Sequence, residues 1–176
     1  MDKQTIRSDI RKAMRQISEA EKGSRSALLW QTLESRDIFR QSATVLMYWS
    51  MPDEVFTHEA VLRWCASKTI LLPVITGDFL TIAPFNGIPA LRKNARLNVY
   101  EPQGTAYTDW QTIDLVIVPG VAFDRECHRL GRGKGYYDRL LPSLSAYKAG
   151  VCFDFQILDN IPREPHDVLM DEVIGC

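Results

Sequence analysis

The sequence has no apolar run near the ~18–20 residues a membrane span needs, no internal repeat and no low-complexity tract. Its four cysteines (Cys65, Cys127, Cys152, Cys176) form no CxxC pair, which excludes a zinc ribbon and a disulfide framework. His58, His128 and His166 show no ligand spacing among themselves or with the cysteines. Only the adjacent Cys127-His128 hints at a metal, and no Ser/His/Asp or Cys/His nucleophile stands out. Excess charge is lacking too: the formal net charge is −1, so there is no bulk attraction for nucleic acid or anionic membrane, and any anion site must be local. The opening MDKQTIRSDIRK carries charge every few residues and has no apolar signal core. The expectation is a cytoplasmic, reduced protein, monomeric, acting on small molecules.

What is present reads as one globular domain over 1–176, with 45% hydrophobic and 24% charged residues. Ile6, Ile10, Ala13/Met14 and Ile17 repeat on one helical face of residues 3–17, opposite a basic stripe of Lys3, Arg7, Arg11 and Arg15. Ser18 and Glu21 predict a capping box for a second helix to about Glu34, burying Ala27, Trp30 and Leu33. Ala43–Trp49 predicts a core strand, and Thr57 caps a helix through about Ser67. Thr69–Ile75 and Phe79–Phe85 flank Gly77-Asp78 as a hairpin. Residues 86–112 read as loop with short pieces of structure. Ile113–Val118 predicts a central strand, Tyr136–Leu144 a helix burying Tyr137, Leu140, Leu141 and Leu144, and Ala149–Phe153 a strand. Phe155–Leu158 predicts a short helix, and the tail offers Val168, Met170 and Val173 as apolar points. Strands alternating with helices point to an α/β domain with a largely parallel sheet, whose ligands bind beyond the carboxyl ends of strands. Met51–Glu54 and Pro119–Gly135 both follow strands, so they can line one cleft.

The strongest chemical signal is RLGRGKGYYD, residues 129–138. Gly131, Gly133 and Gly135 let the main chain approach phosphate oxygens, while Arg129, Arg132 and Lys134 neutralise charge. A strand feeding such a loop into a helix start is a common anion site. It is neither a Walker A loop, because Gly135 follows Lys134, nor GxGxxG, because Tyr136 and Tyr137 follow the last glycine. Asp138, four residues after Lys134, reads either as a helical ion pair or as a magnesium ligand, since that ion takes one or two carboxylates plus substrate phosphates. Asp171 is a second carboxylate or a solvated tail residue. Glu54 suits adjacent N–H donors such as an amino-pyrimidinone edge, and Trp49 and Tyr136 offer flat faces to a ring.

Four stretches in order give the chain a wider likeness: Lys3-Gln4-Thr5-Ile6-Arg7, Tyr48-Trp49-Ser50-Met51-Pro52-Asp53-Glu54, Pro119–Asp138, and Met170-Asp171-Glu172-Val173. Together they resemble the 5-formyltetrahydrofolate cyclo-ligase family, the long PGVAFD…RLGRGKGYYDRLL run being the most specific. Relatives often carry glycine or a small polar residue where Cys127 and His128 stand. The resemblance implies a three-layer α/β/α sandwich of the NagB/RpiA/CoA-transferase type and an ATP- and Mg²⁺-dependent cyclisation of 5-formyltetrahydrofolate. It implies ATP contacts from Lys3, Gln4, Thr5, Ile6 and Arg7 and from Arg129, Leu130, Gly131, Arg132, Gly133, Lys134, Gly135, Tyr136 and Tyr137. Folate contacts would come from Trp49, Glu54, Arg132, Gly133, Lys134, Gly135 and Tyr136, and magnesium would be held by Asp138 and Asp171. Arg132, Lys134 and Tyr136 are the catalytic candidates. A non-catalytic folate or nucleotide binder on the same scaffold is the alternative; a sugar-phosphate isomerase would need a base for enolisation, to which no residue points.

Overall fold

The structure, a computed structural model, describes residues 1–95, 98–165 and 167–176, so His166 lies outside the described residues. Its elements in chain order are α1 (Lys3–Met14), α2 (Glu19–Glu34), α3 (Asp37–Gln41), β1 (Thr44–Leu46), α4 (His58–Trp64), β2 (Thr69–Thr76), β3 (Phe79–Pro84), β4 (Leu91–Asn94), β5 (Val99–Pro102), β6 (Leu115–Pro119), β7 (Ala122–Asp124), β8 (Arg129–Leu130), α5 (Tyr136–Leu140), β9 (Tyr147–Cys152), β10 (Ile157–Leu158) and β11 (Glu172–Gly175).

Six strands form the main sheet in the order β11-β9-β6-β1-β2-β3. All neighbours pair in parallel except β2 with β3. The strands are apolar on both sides, as a sheet covered on two faces requires. Val45, Ile70, Leu72, Leu115 and Ile117 pack with Leu29, Trp30, Leu33, Phe39, Val61 and Trp64 of α2, α3 and α4. The alternating residues Leu46, Leu71, Val116 and Val118 pack on the other face with Leu140, Leu141 and Leu144. The expected largely parallel sheet between helices is therefore present. A smaller sheet, β10-β7-β8, packs through Ala122 and Leu130 against Ile6 and Ile10 of α1.

Several expectations are corrected. α1 stops at Met14 rather than residue 17. Ser18 caps α2 by accepting from Glu21 N, but the Glu21 carboxylate reaches forward to Arg25 rather than back. Leu29, not Ala27, joins the buried face. The predicted helix at 136–144 is five residues of α-helix followed by a 3-10 turn, Leu141–Ser143. The predicted helix at 155–158 is a 3-10 turn, Asp154–Gln156, leading into β10. The tail adds the edge strand β11, and the expected loop over 86–112 contains the β4–β5 hairpin. β2 and β3 do form the hairpin expected at Gly77-Asp78, with Gly77 at φ 62°.

Thr57 precedes α4 as expected, but its side chain makes no cap. Fully buried, its hydroxyl donates to Tyr48 O (2.6 Å) and accepts from Ser50 N (3.0 Å), while its own N–H reaches Ser50 Oγ (3.0 Å). These bonds fasten the chain leaving β1 to the start of α4, and so fix where residues 51–54 emerge. Thr57→Val keeps the shape and strands two backbone groups. The expected cost is about 1–3 kcal/mol, read from urea unfolding midpoints at unchanged m-value.

Candidate active site

Parallel pairing of β1 with β6, Val45 beside Leu115 and Leu46 beside Val116, brings the two post-strand loops to one end of the sheet. Arg132 joins them. Its Nη1 and Nη2 donate to the two carboxylate oxygens of Asp53 (3.0 and 2.7 Å), and Nη2 also reaches Glu54 Oε1 (3.2 Å). Glu54 Oε2 accepts from Met51 N (2.9 Å), which curls residues 51–54 into a turn. Arg132 and Asp53 are about half exposed, at 42% and 45% of their side chains. Screening by water therefore limits the pair to about 1 kcal/mol or less, and its main effect is geometric.

Burial sets the electrostatics. It raises the Glu54 pKa above the usual glutamate value, and the Arg132 charge offsets that only in part. Asp53 is also partly desolvated, yet hydrogen bonds and charge from Arg132 hold its carboxyl below the usual range. Burial, with the Glu54 charge, also pushes the Tyr137 phenol up, against the pull of Arg129.

A buried cation underlies the loop. Arg129 donates to Pro119 O (3.2 Å) and to Asp138 Oδ1 (2.5 Å), with its guanidinium 5.5 Å from the Tyr137 ring centre. Asp138 is thus partnered by Arg129 and not by Lys134. The Lys134 ammonium is exposed and makes no ion pair among the described residues, although its carbonyl accepts from Arg139 (2.8 Å). Gly133 and Gly135 have φ of 93° and 69°, a region that disfavours any side chain, and a Cβ on Gly135 would lie 2.6 Å from Arg139 Nη1. At five residues, α5 is too short to offer a dipole-based anion site of its own. Tyr136 rests by its ring on Arg139 (5.7 Å) and by its hydroxyl on Gly77 O (3.3 Å).

α1 comes to the same loop. Arg7 Nε donates to Gly131 O (2.9 Å), and its guanidinium lies 3.5 Å from where a Gly133 Cβ would stand. Lys3 pairs instead with Glu164 (2.9 Å) and Asp167 (3.3 Å); burial opposes its charge, but those carboxylates raise its pKa overall. Gln4 and Thr5 are exposed and offer their N–H groups to the capping Asp2. Ile6 and Leu130 are buried in the α1 interface, so they support the site rather than face it. Trp49 stacks on His58 (4.2 Å) and on Phe85 (5.8 Å), a rigid, half-buried plane beside the 51–54 turn.

The two carboxylates expected to hold magnesium, Asp138 and Asp171, have different partners. Asp138 is tied through Arg129 to Pro119, while Asp171 accepts from Lys148 N (2.7 Å). Lys148 pairs with Val116 and Pro119 with Val151, a separation of three strand residues, roughly 10 Å. No cluster of three or more His, Cys, Asp or Glu suited to a metal occurs among the described residues. Asp138, with its second oxygen uncommitted, fits a metal held by one carboxylate and substrate phosphates. Near Asp171, Cys127 adopts φ 66°, the left-handed region that favours glycine. His128 Nδ1 lies 3.0 Å from the buried Asp124 and closes that turn, a structural part. Sequence reading missed Asp53, whose signal was present: it adjoins Glu54 on the same post-strand turn.

The raised Glu54 pKa fixes a sign. Ionised Glu54 costs stability above its folded pKa, and the cost vanishes as pH falls to 4.5, the value free of burial. Glu54→Gln should therefore gain stability relative to the parent as pH rises from 4.5 through the raised pKa, and level off beyond it. Urea midpoints of both proteins between pH 4 and 8 measure this; a difference that stays flat contradicts it.

Comparison with known proteins agrees with this layout. The profile described as the 5-formyltetrahydrofolate cyclo-ligase family matches residues 1–175. The mouse protein named 5-formyltetrahydrofolate cyclo-ligase is 29% identical over 98% of this chain and 92% of its own. The one from Escherichia coli K12 is 31% identical over 74% and 76%. The solved Aquifex aeolicus 5,10-methenyltetrahydrofolate synthetase superposes with a TM-score of 0.88 at 31% identity, covering 99% of this chain and 90% of that one. The synthetase from Mycoplasma pneumoniae, at 24% identity and a TM-score of 0.80 over 99% and 98%, shows the same fold. With a match from the first residue to the last but one, and with the loops it depends on joined at one end of the sheet, the chain belongs to the 5-formyltetrahydrofolate cyclo-ligase family.

Proposed function

We propose that the protein converts 5-formyltetrahydrofolate and ATP to 5,10-methenyltetrahydrofolate, ADP and phosphate. The observation that carries this reading is the Arg132 bridge, which holds the glycine–cation loop directly against the Asp53-Glu54 turn. A phosphate-binding element beside a buried carboxylate and an aromatic plane suits a nucleotide and a pterin that must react with each other.

A formamide carbon resists attack by the neighbouring N10 because its oxygen is a poor leaving group. The formyl oxygen attacks the γ-phosphorus, the bond to the ADP oxygen breaks, and the oxygen becomes a phosphate ester. N10 then bonds to the formyl carbon and loses its proton, and phosphate departs with the former formyl oxygen. The substrate oxygen is the nucleophile, so no protein nucleophile is needed. Phosphoryl transfer of this kind depends on positioning and charge neutralisation. Lys134, whose ammonium makes no ion pair among the described residues, neutralises the transferring group, and the two N–H donors Arg132 retains beside its three bonds hold it in line. Arg7 and the 129–137 segment bind the nucleotide. Tyr136, Trp49 and Glu54 hold the pterin, Glu54 by accepting from its amino-pyrimidinone edge. Asp138, together with the substrate phosphates, would hold magnesium, whose charge would add to the neutralisation.

The methenyl chromophore should appear only with both ATP and Mg²⁺ present; a well-folded preparation with no turnover on authentic substrate defeats the proposal. Lys134→Ala should lower kcat about 10²-fold or more with an unchanged unfolding midpoint, because the ammonium is exposed and unpaired. Asp138→Asn should raise the Mg²⁺ concentration needed for nucleotide binding by calorimetry, as well as slow turnover.

A further inference from the structure

Between α1 and the two loops lies a small cleft of about 60 Å³, lined on its polar side by Arg7, Arg11, Asp53, Arg132, Gly120 and Gln156. Almost every acceptor on its walls is already used. Both oxygens of Asp53 are taken by Arg132, and the carbonyls of Gly120 and Val121 accept from Gln156 Nε2 (3.1 and 2.9 Å). Gln156 Oε1 accepts from Phe153 N (2.8 Å). The donors tell the opposite story. Arg7 uses one of its five N–H groups, on Gly131 O. Arg11 forms no hydrogen bond or ion pair among the described residues, although its charge helps to hold the Asp53 carboxyl down. The cleft therefore presents three guanidiniums with spare donors, those of Arg7, Arg11 and Arg132, against one carboxylate that Arg132 already neutralises. A ligand group that completes it must be acceptor-only and negatively charged.

We infer that Arg11, with the free Nη groups of Arg7, forms an oxyanion subsite that takes a carboxylate or phosphate group of a substrate. This rests on the proposed activity for the identity of the substrate. Arg11 lies one helical turn beyond Arg7, about 6 Å along α1, on the side of the cleft that meets Asp53 rather than the glycine loop. The two cations are thus spaced to receive a pair of anionic groups. Both co-substrates carry such pairs: the glutamyl end of 5-formyltetrahydrofolate has two carboxylates, and ATP has its phosphates. A planar fork on an acceptor-only group gives geometry as well as charge, which a lysine reproduces only in part.

Arg11→Ala and Arg11→Lys test this in the full-length protein. The expected result is a KM about tenfold higher for one co-substrate in Arg11→Ala, with kcat within twofold, partial recovery in Arg11→Lys, and an unchanged unfolding midpoint. The KM penalty should shrink at high salt, where screening weakens the wild-type contact. A rise confined to 5-formyltetrahydrofolate identifies the carboxylates, and a rise confined to ATP identifies a phosphate. Unchanged KM for both, or a loss confined to kcat, overturns the subsite. Calorimetric titration of each compound into both proteins separates the premises. Equal binding by parent and Arg11→Ala overturns the subsite alone, whereas absence of 5-formyltetrahydrofolate binding by the parent overturns the activity on which it rests.

Discussion

The register of β1 beside β6, with Val45 opposite Leu115 and Leu46 opposite Val116, is the constraint from which the rest of the site descends. In a parallel sheet the chain leaves neighbouring strands at the same end, so the 51–54 turn and the 120–135 loop emerge next to each other. A one-residue slip would reverse which side chains face each core, and the division between the two apolar clusters shows how strongly that is resisted. Val45 and Leu115 face one core, Leu46 and Val116 the other. The core thus fixes the register, and the register fixes the meeting of the loops. Only then do Arg132 and Asp53 come within bonding distance.

Charge at the meeting point is layered. Beneath the loop, Arg129 is buried and bonded to Pro119 and Asp138, and Tyr137 lies against it. At the seam, Arg132 divides its donors between Asp53 and Glu54. Outermost, the side chains of Lys134 and Arg11 face solvent and form no ion pair among the described residues. The inner pairs hold shape, and the outer cations are free to meet a ligand. That gradient from satisfied to unsatisfied donors distinguishes this loop from a basic surface loop, in which every cation would be equally solvated.

Much of this was legible in the residues, and the misses share a physical cause. Strong local signals agree with the structure at the Gly77-Asp78 hairpin, the Ser18 cap and the apolar runs of β2 and β6. What failed depended on pairing at a distance. β7, β8 and β10 are two or three residues long and exist because α1 and Gln156 cover them, which no period in the sequence reveals. β11 reads as a polar tail until β9 supplies its partner. Glu21 and Thr57 were correctly placed at helix starts but spend their side chains on Arg25 and on Tyr48 and Ser50, because those partners arrive by tertiary folding. For the site, residue types were readable and their partners were not. Asp138 four residues from Lys134 suggested a helical pair, yet Arg129 took it.

That exchange bears on how the loop handles charge. A partly buried carboxylate is costly to hold without a partner, because desolvation penalises the bare anion. Arg129 supplies a resident positive charge to Asp138 through one oxygen and leaves the other open. The same logic applies to Asp53, whose two oxygens are filled by Arg132. Glu54, the most deeply buried of the three, is compensated least, and its carboxyl is the one driven up. The loop thus holds two neutralised carboxylates and one that is poorly compensated, beside the aromatic plane of Trp49. An incoming N–H donor finds in Glu54 the acceptor with most to gain from a new bond. The proposed preference for a donor edge on one side and an acceptor-only anion on the other follows from where the arginines have already been committed.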